Sequence, residues 1–135
     1  LKMKKIEHIG IAVKDIDYSR RLFSKILGKE VSKSENVESE GVATSIFQIG
    51  ESKIELVAAT NSESPIAKYL SKNKQGIHHL AIFVENIEQE IIRLKKEGIK
   101  FLNEIPKKGA DNKLICFLHP KDTNGVLIEL CQEAM

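Results

Sequence analysis

The chain has 135 residues, enough for one ordinary domain with a hydrophobic core. Apolar residues make up 41% and charged residues 30%, and 21 basic against 19 acidic residues leave a net charge of only +2. This balance, with 5% aromatic residues, argues against nucleic-acid binding. No apolar run reaches the roughly 20 residues that span a bilayer, and no signal-peptide segment is evident, so we expect a cytoplasmic protein. Cys116 and Cys131 lie in apolar runs and are predicted to be reduced strand residues.

The first half of the chain predicts one strand, one helix and then three strands. Residues 6–13 alternate between aliphatic side chains on one face and His8 with small residues on the other, as in a strand that packs on a helix. Residues 18–27 have helical spacing, and Asp15 or Asp17 is a suitable N-cap. The remaining elements are a weak strand at 30–34, a polar turn at 36–41 and a hairpin of strands at 42–49 and 52–58.

The second half predicts the same order of elements. A short helix at 65–71, with Ser64 as N-cap and Pro65 at its first position, joins the halves. The later elements are a strand at 77–84, a helix from Asn86 to 97, a short strand at 99–102, a loop at 106–113, a strand at 114–118 and a last strand at 126–131. The chain therefore predicts an α+β protein, a single domain of two βαβββ modules at about 5–59 and 76–132.

A repeated stretch places a histidine at the same point of both modules. Residues 5–13 (KIEHIGIAV) and 76–84 (GIHHLAIFV) align His8 with His79. His78 lies on the opposite, helix-facing side of its strand and is left out as a ligand. A single strand histidine is more often structural, but one repeated on the roomy face of equivalent strands is a candidate metal ligand.

A carboxylate is repeated in the same way near the end of each module. Glu55 lies in the sequence KIELV and Glu129 in LIELC. A strand glutamate is usually solvent-facing, whereas a buried carboxylate is costly unless it is paired or binds a metal. If the modules pair about a pseudo-two-fold axis, both carboxylates converge with His8 and His79. Two imidazoles and two carboxylates suit a divalent ion such as Co, Ni, Mn, Zn or Fe, with positions left for water or substrate.

The remaining candidates are weaker. His119 opens a turn and is predicted to be structural. Cys131 shares a face with Glu129, but no base is evident that would make it a nucleophile. Four lysines are assigned to loops, where solvent exposure explains them better than phosphate binding: Lys107, Lys108, Lys113 and Lys121.

The chain resembles the vicinal-oxygen-chelate superfamily and, within it, the methylmalonyl-CoA epimerase family. The resemblance covers essentially the whole chain. It is carried by the two histidine strands and by the motifs SPIAK (64–68), FLHPK (117–121) and NGVLIEL (124–130). The fold that this resemblance implies is a glyoxalase-like domain with a concave mixed sheet around a metal site.

The resemblance also implies the metal ligands. His8, His79 and Glu129 match the family's ligands, and Glu55 holds the fourth position, where some members have glutamine. Co²⁺ is the favoured ion, with Ni²⁺, Mn²⁺ or Zn²⁺ as the other choices. The implied ligand is an acyl-CoA substrate and the implied assembly a homodimer, with neither nucleic acid nor membrane as a partner.

The implied reaction is metal-dependent epimerisation at C2 of methylmalonyl-CoA, by proton abstraction and return through a stabilised enolate. Epimerisation needs an acid and a base on opposite faces of a planar intermediate, and we expect Glu129 and Glu55 to fill these roles. Some bacterial members of the family place an additional catalytic glutamate at the position of Thr44. The sequence therefore leaves the second base open.

The sequence leaves three functions open as alternatives to the epimerase. Glyoxalase I, a lactoylglutathione lyase, also moves a proton α to a carbonyl and can use the same ligand types. An oxygenase would use two histidines and one carboxylate with iron, which a fourth ligand at Glu55 disfavours. A non-catalytic small-molecule-binding protein on the same fold would not need the complete ligand set.

Overall fold

The computed structural model describes residues 3–134, and in them the order βαβββ occurs twice. The strands are β1 (Met3–Ala12), β2 (Lys33–Val37), β3 (Val42–Ile49), β4 (Ser52–Ala59), β5 (Gly76–Val84), β6 (Lys107–Lys108), β7 (Lys113–Phe117) and β8 (Ile128–Glu133). The helices are α1 (Ile16–Leu27), α2 (Pro65–Lys72) and α3 (Ile87–Lys96), and Glu38–Glu40 and Pro120–Asp122 form 3₁₀ turns. The predicted tandem α+β arrangement is therefore confirmed, with α2 between the two series.

The predictions failed mainly in the second series, after α3. The strand expected at 99–102 does not form, since Phe101 makes only an isolated bridge to Leu118. The region expected to be a loop contains the two-residue strand β6. The last strand begins at Ile128 instead of 126, because Asn124 (φ 57°) and Gly125 (φ 84°) hold a left-handed turn just before it.

The residues group into two compact units whose limits differ from those of the repeat. The discontinuous unit combines the chain through His8 with the chain from His79 onward, and the continuous unit is Ile9–His78. Strand β1 therefore contributes its first residues to one unit and its last residues to the other.

The continuous unit contains α1, the antiparallel strands β2, β3 and β4, and helix α2. Its cores show the alternation expected from the sequence. Ile11 and Val13 pack in the cluster that includes Phe47 and residues of α1, whereas Ala12 packs in a separate cluster with Ile66 of α2. Successive residues of the strand thus point to opposite faces, as the period of two requires.

The discontinuous unit contains α3 and a mixed sheet in the order β5-β8-β7-β6. Strands β5 and β8 are parallel, and the other neighbours are antiparallel. The sheet has two apolar faces. One packs on α3 through Val84, Ile87, Ile91 and Leu130, and the other carries Ala81, Ile115 and Cys131 with Phe83 and Phe117.

Both cysteines are buried and unbridged, in agreement with the prediction of reduced strand residues. Among residues 3–134, no helix is long and apolar enough to cross a membrane.

Candidate metal centre

Three strands of the discontinuous unit bring two histidines and a glutamate together. His8 lies on β1, His79 on β5 and Glu129 on β8. The parallel register pairs Ala81 with Glu129, so the glutamate side chain lies on the same face as Ala81 and His79. The alternation read from the sequence therefore selected the correct face for His8 and His79.

The three side chains point their ligand atoms at one another. The Nε2 atoms of His8 and His79 are 3.0 Å apart, and Glu129 Oε1 lies 3.4 Å from the Nε2 atom of His79 and 3.7 Å from that of His8. Bonds of about 2.1 Å to one ion would place ligand atoms about 3.0 Å apart at right angles and about 3.4 Å apart at the tetrahedral angle. The observed separations are close to these values, so the donor set fits a divalent ion.

Low exposure keeps bulk water from the cluster. His8 and His79 are each 7% exposed and Glu129 is 5% exposed. The ring of Phe117 meets that of His79 edge to face, with ring centroids 6.1 Å apart. Charged and polar groups this deeply buried are expensive unless they satisfy one another or bind a cation, which favours a ligand role over a merely structural one.

Glu7 is a neighbour of the cluster that the sequence reading missed. Its carboxylate Oε1 lies 3.4 Å from Nδ1 of His8, the ring nitrogen that faces away from His79 and Glu129. The alternation of a strand places residue 7 on the opposite face from residue 8, which is why periodicity gave no signal for this contact. The only available sign was an acidic residue directly before a candidate ligand histidine.

The fourth predicted ligand, Glu55, belongs to the continuous unit. It lies on β4 opposite Ile46 of β3 and is buried, so the alternative of a solvent-facing strand glutamate is wrong for it. Thr44, on β3 in the same unit, is also buried, and its hydroxyl donates to the backbone carbonyl of Glu35 at 3.3 Å. His8, His79 and Glu129 all lie in the other unit.

Two histidines outside the cluster have structural surroundings. His78 meets the ring of Tyr69 edge to face at 4.7 Å, and burial lowers the pKa of its imidazole below the ordinary value. His119 caps the 3₁₀ turn Pro120–Asp122, where its Nδ1 accepts a hydrogen bond from the backbone N–H of Lys121. Both observations agree with leaving these residues out of the ligand set.

Lys113 differs from its assignment to a solvated loop. It begins β7 and is buried, with its ammonium 3.3 Å from Glu133 and 3.4 Å from Asp111. Its charge is therefore balanced by two carboxylates of the same unit. The sequence could not indicate this, because Lys113 meets Glu133 only through the pairing of β7 with β8.

The chain can now be placed in a family. Residues 7–117 match the family profile described as the glyoxalase/bleomycin resistance protein/dioxygenase superfamily. The chain belongs to this superfamily, and its fold is the vicinal-oxygen-chelate fold.

Comparison with individual proteins shows which family within the superfamily the chain resembles. The chain is 41% identical over 129 residues to the mitochondrial methylmalonyl-CoA epimerase of Homo sapiens, covering 95% of this chain and 73% of that protein. It is 39% identical over 130 residues to the ethylmalonyl-CoA/methylmalonyl-CoA epimerase of Cereibacter sphaeroides, covering 95% and 97% of the two chains. A Streptomyces coelicolor methylmalonyl-CoA epimerase variant in complex with 2-nitronate-propionyl-CoA matches with a TM-score of 0.93 at 33% identity, over 98% and 96% of the two chains. Within the superfamily, the chain belongs to the methylmalonyl-CoA epimerase family of enzymes.

Proposed function

We propose that this protein interconverts the two C2 epimers of methylmalonyl-CoA in a metal-dependent reaction. The observation that carries the proposal is the buried cluster of His8, His79 and Glu129 in a chain whose named relatives are methylmalonyl-CoA epimerases. One solved relative is described as a complex with methylmalonyl-CoA, which supports a CoA thioester as the substrate class.

His8, His79 and Glu129 would hold the divalent ion, with Glu55 as the fourth ligand. When bound, the ion supplies a Lewis acid that orients the substrate and stabilises negative charge on the thioester and carboxylate oxygens. Imidazole and carboxylate donors suit several first-row ions, and the family resemblance favours Co²⁺ among them.

Glu129 and Glu55 would supply the acid and the base. The C2 proton lies between a thioester carbonyl and a carboxylate, so its removal leaves a planar intermediate that must be reprotonated from the other face. Both glutamates are buried, which keeps water from competing for the proton. The family resemblance matches Thr44 to the position of an additional catalytic glutamate in some bacterial members, but a hydroxyl that donates to a backbone carbonyl is no substitute for a carboxylate base.

Solvent deuterium exchange at C2 tests this assignment. Glu129→Gln and Glu55→Gln should each slow the exchange at least about 100-fold, because general acid–base groups contribute roughly 10²–10⁴ in rate. The matched control is Glu90→Gln, since Glu90 is buried on α3, pairs with Arg93 and is not one of the clustered residues. Full exchange by both Glu129→Gln and Glu55→Gln would refute the two-carboxylate assignment.

Two further measurements distinguish the epimerase from glyoxalase I and from a non-catalytic binding protein. Turnover of the hemithioacetal of methylglyoxal and glutathione in preference to methylmalonyl-CoA would replace the epimerase proposal with glyoxalase I. Lack of a stoichiometric divalent ion in the purified protein would favour the non-catalytic binding protein. The single-domain organisation, the homodimer and the cytoplasmic location stay predictions alongside this proposal.

A further inference from the structure

Glu7 is a buried carboxylate to which the proposed reaction assigns no role. It is 2% exposed, while Ile6 beside it on β1 is 49% exposed. Burying a carboxylate costs free energy that must be recovered from specific partners. One such partner is the imidazole of His8, with Glu7 Oε1 and His8 Nδ1 3.4 Å apart.

The chemistry of the two groups determines which of them donates this hydrogen bond. An ionised carboxylate only accepts hydrogen bonds, so the proton must reside on Nδ1 of His8. A neutral imidazole carries one N–H, and Nε2 of His8 is therefore left with its lone pair. That lone pair faces His79 and Glu129, as a metal ligand must.

In the metal-free protein, the short distance between the two rings determines which nitrogen of His79 carries the proton. Two imidazole lone pairs would repel each other at the 3.0 Å that separates Nε2 of His8 from Nε2 of His79. Since His8 presents a lone pair, Nε2 of His79 carries a proton and donates it to His8. Through its hydrogen bond to His8, Glu7 thus favours one arrangement of protons on the two Nε2 atoms.

We propose that Glu7 is a positioning residue, which holds the His8 ring with its Nδ1 protonated and its Nε2 presented to the cation. This inference rests on the metal site of the proposed function. Ligating histidines commonly donate their second N–H to a carboxylate, which orients the ring and increases its basicity. At 3.4 Å the bond is longer than the usual 2.7–3.2 Å, so we expect an effect at the lower end of the 10–100-fold range found for such partners.

Metal affinity of purified variants is the first test, measured by competition with a fluorescent chelator for Co²⁺ and Zn²⁺. Glu7→Leu should weaken binding about 10-fold. Glu7→Gln should weaken it less, since the amide oxygen still accepts a hydrogen bond but without the charge that roughly doubles its strength. Glu90→Gln, which neutralises an equally buried carboxylate outside the site, should stay within about twofold of the wild type.

The tautomers provide a readout that a merely structural role would not change. Long-range ¹H–¹⁵N correlation spectra of the metal-free protein at pH 8 should show His8 protonated on Nδ1 and His79 on Nε2. In Glu7→Leu the Nδ1-protonated form of His8 should lose its preference, while Glu90→Gln should retain it. If Glu7→Leu does not fold, Glu7→Gln should show a measurable fraction of the other His8 tautomer.

The outcomes distinguish this inference from the proposed function. Wild-type affinity in the Glu7 variants, or a His8 tautomer that does not respond to them, would overturn the role of Glu7 and leave the metal site intact. A wild-type protein that binds no divalent ion would overturn the proposed function, and the His8 tautomer in the metal-free protein would still decide whether Glu7 orients the ring.

Discussion

Two adjacent histidines show that the surroundings of a side chain determine whether it can be a metal ligand. His79 Nε2 lies 3.0 Å from His8 and 3.4 Å from Glu129, whereas His78 packs against the ring of Tyr69. The two side chains leave the strand on opposite faces, so identical chemistry meets a carboxylate on one face and an aromatic ring on the other. The side of the strand, and not the residue type, makes His79 the candidate ligand.

This contrast predicts different effects of the same substitution. His79→Gln should reduce affinity for divalent ions by more than about 100-fold, because losing even an outer partner of a ligand typically costs 10–100-fold. His78→Gln should leave the affinity within about twofold. Isothermal titration with Zn²⁺ would measure both, and equal losses in the two variants would remove the basis for choosing between the histidines.

Cys116 is predicted to be chemically inert in the folded protein. Its side chain is fully buried, and burial, with a smaller effect of the Glu129 charge, raises the pKa of the thiol from 9.0 to about 12. Since the thiolate is the reactive form, iodoacetamide at pH 8 should label Cys116 only after the protein is unfolded in urea. Peptide mass spectrometry of native and unfolded samples would show this, and rapid native labelling would contradict it.

The same pKa shift has a consequence for stability. Well below pH 9 the thiol is protonated in both folded and unfolded chains, so its contribution to the free energy of unfolding does not change with pH. Between pH 9 and about 12 the unfolded chain loses the proton first, and stability falls as pH rises. Cys116→Ala should reduce this alkaline slope in urea titrations.

At the scale of elements, the start of α1 provides a test of local sequence signals. The sequence left Asp15 and Asp17 as equal candidates for the N-cap. In the structure Asp15 accepts a hydrogen bond from the backbone N–H of Tyr18 at 3.0 Å, while Asp17 lies in the first turn and pairs with Arg20. Only one of the two carboxylates therefore satisfies a backbone donor at the helix end.

Asp15→Ala should lower the free energy of unfolding by about 1 kcal/mol, the usual loss for a helix N-cap. Asp17→Ala should cost no more than about 0.5 kcal/mol, since an exposed ion pair contributes little. Asp15→Asn keeps an acceptor at the cap and should recover most of the loss. Urea unfolding curves would rank the three variants, and a larger loss for Asp17→Ala would show that the cap is assigned to the wrong residue.

The accuracy of the element predictions followed the strength of the local pattern. Strand β3 agrees at both ends, and α2 agrees at its start, because a clear alternation defines the first and a Ser-Pro cap the second. The segment after α3 was predicted poorly. Short apolar runs such as 99–102 fit a strand or a loop equally well, and only the neighbouring chain decides which forms.

At the scale of the whole molecule, the proposed metal would join segments that are distant along the chain. His8, His79 and Glu129 all belong to the discontinuous unit, which joins segments from both ends of the chain. A cation held by these residues would link the start of β1 to β5 and β8. Because an ion that binds only the folded state stabilises it, folding should respond to metal concentration.

Saturating Co²⁺ or Zn²⁺ should therefore raise the midpoint of thermal unfolding. An ion at 100 times its dissociation constant contributes about 2.7 kcal/mol, which corresponds to roughly 10 °C for a chain of this size. EDTA should reverse the shift, and His79→Gln and Glu129→Gln should abolish it while Glu90→Gln retains it. Differential scanning calorimetry would measure these midpoints, and a shift that survives in His79→Gln would locate the ion elsewhere.

The sequence by itself determined the order of the elements up to α3, the repeat and the residue types of the site. Helical and strand periods, caps and turns are properties of short segments, and the alignment of His8 with His79 needs no coordinates. The hypothesis that the carboxylates converge on a metal also required Glu129 and Glu55 to be buried, and both are.

Only the tertiary structure decided which atoms meet. The register that pairs Ala81 with Glu129, the 3.0 Å between two Nε2 atoms and the approach of Glu7 to Nδ1 of His8 all join residues through the packing of strands. Burial of Lys113 between two carboxylates arose in the same way. Local sequence carries no signal for such contacts, because strand register and side-chain rotamers are set by neighbours that are distant along the chain or on the other face.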